Sequence, residues 1–405
     1  MNHQNSEIVL NMAREILRKY NEKEKTSGKP RILVAGKTGV GKSTLLNAIF
    51  SKSLAQVGVG KPVTQEITEY QSEDFPLIIA DSKGLENQDY EEIVEELARY
   101  IKEHNSTGDE KDAVNLAWFC VSAPGGRFED GEASFVQTIH KAGIPVIIVM
   151  TQGKRFQNDG FREDTPEAIL RDYIRDQIGS SVDDIVLLRA QEEEDEDDDG
   201  NMFIKKPRGL NTLIQSTNKL LPKGQKNAFA QALNARNTVS LTLKENAARE
   251  IVNWAAAAAT AAAAAPIPGS DFLSLAPIQG TMLYKIGNVY GVNTEGTNWK
   301  NVITAVATPI VSGMIAHAAA GTILKFIPIA GSILGGLISG ASAGAMTKLM
   351  GEVYLSVLNE MTKEILNEGE DRVITATEAF EHLAAAIRKK KAEEKSKENQ
   401  EEEAS

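Results

Sequence analysis

Residues 31–43 read Arg31-Ile32-Leu33-Val34-Ala35-Gly36-Lys37-Thr38-Gly39-Val40-Gly41-Lys42-Ser43. The run Arg31–Ala35 predicts a buried strand, and a helical pattern opens at Ser43. Between them, Gly36 and Gly41-Lys42-Ser43 stand at the spacing of a phosphate-binding loop, in the strand–loop–helix frame that motif requires. Glycines let backbone N–H groups turn inward around phosphate oxygens. The helix start adds the positive end of its dipole. Lys42 is expected to reach the β- and γ-phosphates and the Ser43 hydroxyl to coordinate Mg²⁺.

Further along, the apolar strand Leu77–Ala80 ends in Asp81-Ser82-Lys83-Gly84. An acid at a strand end with Gly three residues on, after a phosphate loop, predicts a Mg²⁺ contact by Asp81 and a γ-phosphate contact by the Gly84 N–H. Between the two motifs, Lys61-Pro62-Val63-Thr64 follows a Gly-rich loop. Thr64 is the candidate switch threonine for the Mg²⁺ shell, with Thr68 its rival. Leu85 follows Gly84 where Ras-type enzymes carry a water-orienting Gln. Leucine cannot orient water, so slow turnover is expected unless another group intervenes. Arg127, in Pro124-Gly125-Gly126-Arg127-Phe128-Glu129, reads first as a solvated loop arginine; the competing reading is an arginine finger, in cis or across a dimer.

The rest of the chain divides by composition. Residues 29–222 alternate apolar runs (also Leu116–Val121 and Pro145–Met150) with helical patterns Ser43–Phe50, Tyr90–His104 and Gly131–Ala142, the signature of an α/β domain with a mostly parallel sheet covered on both faces. Inside it, residues 192–199 are eight consecutive acidic side chains, read as a solvated surface loop because dense like charges repel. From 223 to 380 the strand signals vanish and an all-α domain is expected, with alanine-rich Ala255–Ala265 as helix. Two uncharged runs, Asn301–Leu324 and Phe326–Thr347, approach the length that spans a bilayer. Their small residues and the break at Ile327-Pro328 favour a soluble helical bundle that docks on a membrane, over a permanently inserted hairpin or a purely soluble bundle. Residues 1–28 carry Ile8, Met12, Ile16 and Tyr20 at a spacing of four, an amphipathic helix rather than a secretion signal. Residues 381–405 form a charged tail. There are 44 Lys and Arg against 56 Asp and Glu, a net charge of -12. That balance argues against nucleic acid as a partner and against unassisted adsorption to anionic lipid. The single cysteine, Cys120, lies in an apolar run and allows no internal disulfide. These features fit a cytoplasmic protein, with a peripheral place at the inner membrane as the alternative.

Together with Ser43-Thr44-Leu45-Leu46-Asn47-Ala48-Ile49-Phe50, Pro62-Val63-Thr64 and Asp81–Leu85, the chain resembles the Era/TrmE-like branch of P-loop GTPases. Within it the chain is similar to bacterial members that carry a C-terminal helical domain of unknown function; Gly209–Leu213, Leu220-Leu221-Pro222 and Pro266–Asp271 support this. It is more distantly similar to dynamin-like and immunity-related GTPases. The resemblance implies GTP and GDP as ligands with Mg²⁺, and hydrolysis of GTP that switches the helical domain. It implies nucleotide contacts from Lys37, Thr38, Gly39, Val40, Gly41, Lys42, Ser43 and Thr44. Lys42, Thr64 and Gly84 would act in hydrolysis, and Ser43, Thr64 and Asp81 at the metal. Candidate partners are a second copy through the nucleotide-binding domain and a membrane surface.

The base-reading motif departs from the family's Asn/Thr-Lys-x-Asp. Here Thr151-Gln152-Gly153-Lys154 keeps Thr151, puts Gln152 for the lysine and Lys154 for the carboxylate, which weakens the expected preference for GTP over ATP. In the last base loop, Arg189-Ala190-Gln191, only Ala190 matches. Gly39 stands where cation-activated members carry Asn, so potassium acceleration is not expected.

Overall fold

In the computed structural model the described residues are 28–50, 60–64, 67–72, 75–82, 90–106, 112–196, 200–234, 238–263, 276–292, 343–368, 373–379 and 381–382. They form two compact units, which divide between Leu243 and Lys244. The N-terminal helix, Gly84 and Leu85, the hairpin of uncharged runs up to residue 342, and the tail from 383 lie outside the described residues.

The first unit is built on a seven-stranded sheet of order β2-β3-β4-β1-β5-β6-β9. Its strands are β1 (Arg31–Gly36), β2 (Lys61–Pro62), β3 (Ile67–Tyr70), β4 (Ile78–Ser82), β5 (Val114–Ser122), β6 (Val146–Thr151) and β9 (Asp184–Leu187). β4, β1, β5, β6 and β9 run parallel, whereas β3 is antiparallel to β4 and β2 to β3. The parallel strands are buried on both faces, which is why they read as unbroken apolar runs. Strand alternation sends Leu33, Ala35, Phe119 and Ile148 into one core with helices α2 (Tyr90–Asn105), α3 (Asp130–Lys141) and α4 (Pro166–Ile178). Ile32, Val34, Trp118 and Val149 enter the other, with α1 (Lys42–Ile49), α5 (Leu210–Leu220) and α6 (Lys226–Ala232).

That second core explains why the first unit extends past residue 222. Phe229 is fully buried and packs edge-on against Phe50, which itself stacks on Trp118 with ring centroids 5.9 Å apart. The Trp118 indole N–H donates to Thr217 Oγ1 on α5 at 3.0 Å, so the largest core side chain carries no orphaned donor. Asn234 closes the end of α1: its backbone N–H donates to Ile49 O and its side-chain amide to Ala48 O.

The acidic run is not all loop. Glu193–Glu196 forms β10, paired antiparallel with β11 (Met202–Lys205), and the hairpin stands apart from the main sheet. An extended strand sends alternate carboxylates to opposite faces, about 7 Å apart on each face, and so relieves the repulsion that argued for a solvated loop. Lys205 pairs with Asp195 across the ladder. A further short hairpin joins β7 (Phe156–Gln157) to β8 (Gly160–Phe161).

Among the described residues the second unit is helical: α7 (Thr238–Ala263), which begins in the first unit, then α8 (Ala276–Tyr290) and α9 (Ala343–Glu368). Glycines let α9 approach its neighbours closely. A Cβ at Gly351 would lie 2.7 Å from Val252 Cγ2 and 2.9 Å from Met282 Sδ. No helix of the described residues is long and apolar enough to cross a membrane.

Candidate functional site

The site forms where β1, β4, β5 and β6 end together, at the carboxyl edge of the parallel sheet, the usual place for a ligand in this architecture. β1 runs into the loop at Gly36, where a Cβ would lie 2.3 Å from Cys120 O on β5. Only glycine lets the strand pass so close. Gly39 and Gly41 take φ of 76° and 100°, the left-handed region that glycine enters without steric cost. The turn closes by Val40 N–H donating to Lys37 O, and Leu45 N–H returns to Gly41 O as α1 begins. Lys42 folds back over the loop, its amino group donating to Gly36 O at 2.8 Å and to Lys37 O at 3.3 Å. Ser43 is exposed at the helix start, and Thr38 is exposed in the loop.

Asp81 is the penultimate residue of β4, its Cα opposite Val34 of β1 and opposite Thr68 of β3. Its Oδ1 is buried without a hydrogen-bond partner. Burial raises its pKa to about 6, against the pull of the nearby Lys42 charge. An unsatisfied buried carboxylate oxygen is costly in isolation. A carboxylate oxygen and a hydroxyl such as that of Ser43 are hard donors of the kind that suits a small divalent cation such as Mg²⁺. Thr64 sits in the tight turn between β2 and β3, its hydroxyl accepting from Ile67 N–H at 3.0 Å. Thr68, the rival, shares a sheet face with Asp81.

The loop after β6 is bolted to the phosphate loop. Thr151 is buried, and its hydroxyl donates to Val40 O at 2.6 Å. Gln152 takes a left-handed φ of 58°, and its side-chain amide donates to Gly39 O at 3.4 Å. Lys154 is exposed, and its N–H and that of Arg155 donate to Glu167 Oε1. Burial works against the charge on Glu167, yet these N–H groups and the Arg155 guanidinium hold it below the usual carboxylate range. Ala190 is half-buried beside Arg189, which does more than its neighbour: Arg189 donates to Lys206 O and Gly153 O and lies 5.3 Å over the Phe156 ring. One buried guanidinium thus ties together the loops that follow β6 and β9.

A link with no counterpart in motif spacing joins Lys37 to the loop after β5. The Lys37 amino group lies 2.7 Å from Glu129 and 3.8 Å from Glu132. These two acids form a capping box on α3, which the spacing Glu129-x-x-Glu132 would have signalled. Arg127, two residues before Glu129, is exposed.

Residues 31–152 match the family model described as "50S ribosome-binding GTPase", and residues 228–385 match one described as "Domain of unknown function (DUF697)". A "Probable GTP-binding protein EngB" of Methanococcus maripaludis is 31% identical over 109 residues, and that of Methanococcus aeolicus 32% over 105 residues. These alignments take in 26% and 25% of this chain; the chain spans 44% and 46% of the length of the curated relatives it matches. Solved structures of a probable GTP-binding protein engB and of a dimerization-deficient mutant of Toc33 from Arabidopsis thaliana align with TM-scores of 0.32 each, at 17% and 16% identity. They cover 47% and 52% of this chain, and 97% and 90% of their own. The sheet and the glycine loop give the first unit the fold of a P-loop G domain, in accord with the match over residues 31–152, and the described helices of the second unit fall within the match over 228–385.

Proposed function

We propose that the protein binds GTP with Mg²⁺, hydrolyses it slowly to GDP, and uses the difference between the two states to bias its helical domain. The observation that carries this reading is the pairing of a left-handed glycine loop around Lys42 with a buried, unpartnered Asp81 oxygen beside it. The Lys42 ammonium, now held by two of the loop's own carbonyls, would exchange them for β- and γ-phosphate oxygens. The N–H groups of residues 37–44 would line the same phosphates, helped by the α1 dipole. Asp81 and Ser43 would hold the metal, which supplies charge neutralisation at the phosphates. Thr64 or Thr68 would join that shell only with a γ-phosphate present. Thr64 must first release Ile67 N–H, so the β2–β3 turn is the element that would move.

At the base, Thr151 and Gln152 would support the ring's face and Ala190 its edge. The Era/TrmE-like placement and the GTP preference rest on motif resemblance, with no carboxylate at Lys154 to read guanine. Leu85 motivates slow turnover by a single copy. Arg127 is the group a second copy would supply, and the Lys37–Glu129 pair anchors its loop to the phosphate loop. The uncharged runs within 301–347 are where a membrane surface would be met; sedimentation with liposomes, with and without nucleotide, tests that partner. The test of the core reading is Lys42→Ala. Nucleotide affinity should fall by about a hundredfold or more, equal to 2.7 kcal/mol or more, with thermal stability held. Unchanged affinity at equal stability would remove the assignment.

A further inference from the structure

We propose that Glu129 and Glu132 are positioning residues for Arg127: they hold segment 122–132 as a bracket across the nucleotide loops, with Arg127 set for the phosphates of a second copy. This rests on the reading of Arg127 as the group that a second copy supplies. The bracket has two feet. At one, Ala123 N–H donates to Thr151 O at 3.0 Å, and the Ser122 hydroxyl donates to Gln152 Oε1 at 3.4 Å. Gln152 in turn donates to Gly39 O, so this foot stands on the base loop and, through it, on the phosphate loop. At the other foot the Lys37 amino group lies 2.7 Å from Glu129 and 3.8 Å from Glu132. Lys37 belongs to the phosphate loop itself, and charge-assisted contacts of this kind are the stronger polar links. Glu129 N–H donates to Glu132 Oε2 at 2.8 Å, which makes the two acids one unit at the start of α3. The Glu132 side chain is only 3% exposed, and burial raises its pKa against the pull of the Glu129 N–H and the Lys37 charge. Lys37 therefore favours the charged form of a buried carboxylate, and the two carboxylates hold Lys37 in place.

Between the feet the chain has little freedom. The N–H groups of Gly125 and Gly126 donate back to Ser122 O and Ala123 O, and Gly126 takes the left-handed φ of 60° that this turn requires. Phe128 is buried, its ring edge-on to Phe119 with centroids 6.3 Å apart. Arg127, exposed, sits between that turn and that anchor. Two residues separate it from Glu129, so the two Cα atoms are within about 7 Å of each other. A segment clamped in this way cannot fold over its own phosphates without breaking these contacts. It can present an arginine outward to a facing copy, and no loop then has to be ordered at the moment of docking. The two acids touch no nucleotide; they act through Arg127.

The test measures GTP hydrolysis per molecule by the full-length protein with Mg²⁺, from dilute to concentrated protein. The activity of the unaltered protein should rise with concentration, and Arg127→Ala should flatten the rise. Glu129→Gln keeps the oxygen that caps α3, and Glu132→Gln keeps the volume of a buried side chain; both remove charge that faces Lys37. Each should lower the activity at high concentration by about fivefold or more, with GTP affinity held within about threefold and melting unchanged. In the Arg127→Ala background neither should lower it further, because a residue that acts through another has no effect once that other is gone. A merely structural role would lower affinity or melting and would persist in that background. Activity that is absent or constant per molecule, or a rise that survives Arg127→Ala, removes the reading of Arg127 and this proposal with it. An effect of Arg127→Ala with none from either glutamine variant overturns the proposal and leaves Arg127 in its role. A loss that persists without Arg127, or weaker GTP binding by both variants, gives the acids another role and overturns it as well.

Discussion

Lys42 and Asp81 show how far single residues could be read. The loop around Lys42 was legible as a conformation because it follows from a spacing: the loop glycines take the left-handed conformations that spacing demands. Asp81 was legible as a strand-end acid, but not that one of its oxygens is buried and unsatisfied. That depends on which strands flank β4, a long-range fact. Asp81→Asn keeps the volume and removes the charge. If Asp81 holds the metal, the variant's nucleotide affinity should lose its dependence on Mg²⁺ and approach that of the unaltered protein in chelator, within about threefold (roughly 0.7 kcal/mol). Calorimetry with and without Mg²⁺ checks this. A variant that still gains affinity with Mg²⁺ would take Asp81 out of the metal site.

At the scale of elements, the buried parallel strands were legible because a strand covered on both faces leaves an unbroken apolar run. The expectations for Arg31–Ala35 and Pro145–Met150 differ from β1 and β6 only at their ends. β10 was not legible. Its acids match no strand propensity, and what makes them a strand is β11 and the Asp195–Lys205 pair. The stem of that hairpin also hides a site element: Arg189 and Arg208 exchange backbone hydrogen bonds, and the Arg189 side chain spans from Lys206 to Gly153. Arg189→Ala would leave the Lys206 and Gly153 carbonyls short of a donor. A loss of about 1–3 kcal/mol in stability is expected, the cost of stranding such partners, together with weaker nucleotide binding. Denaturant melts and a nucleotide titration measure both. Full stability with full affinity would mean that the two base loops are held by other contacts.

For the whole molecule, the change from α/β to all-α composition placed a boundary at 222, where strand signals stop. The match to the domain of unknown function begins at 228, close to that boundary, whereas the compact first unit runs on to Leu243 because Phe229, Leu233 and Asn234 complete its core and cap α1. Composition cannot show this, since a helix that finishes an α/β core looks like one that starts a helical domain. A fragment of residues 24–243 should fold cooperatively and bind nucleotide like the full chain. A fragment of residues 24–222 should be insoluble or lose several kcal/mol, since emptying the Phe229 position alone costs about 3–5 kcal/mol. Equal melting of the two fragments would contradict that boundary. The account's central claim is a guanine-nucleotide switch built on Lys42 and Asp81, in a domain whose base loop lacks the guanine-reading carboxylate. Calorimetric titration of the full chain with GTP and with ATP, each with Mg²⁺, tests it most directly. The account predicts that GTP binds at least about tenfold more tightly, 1.4 kcal/mol. ATP binding as tightly as GTP, or more tightly, would contradict it.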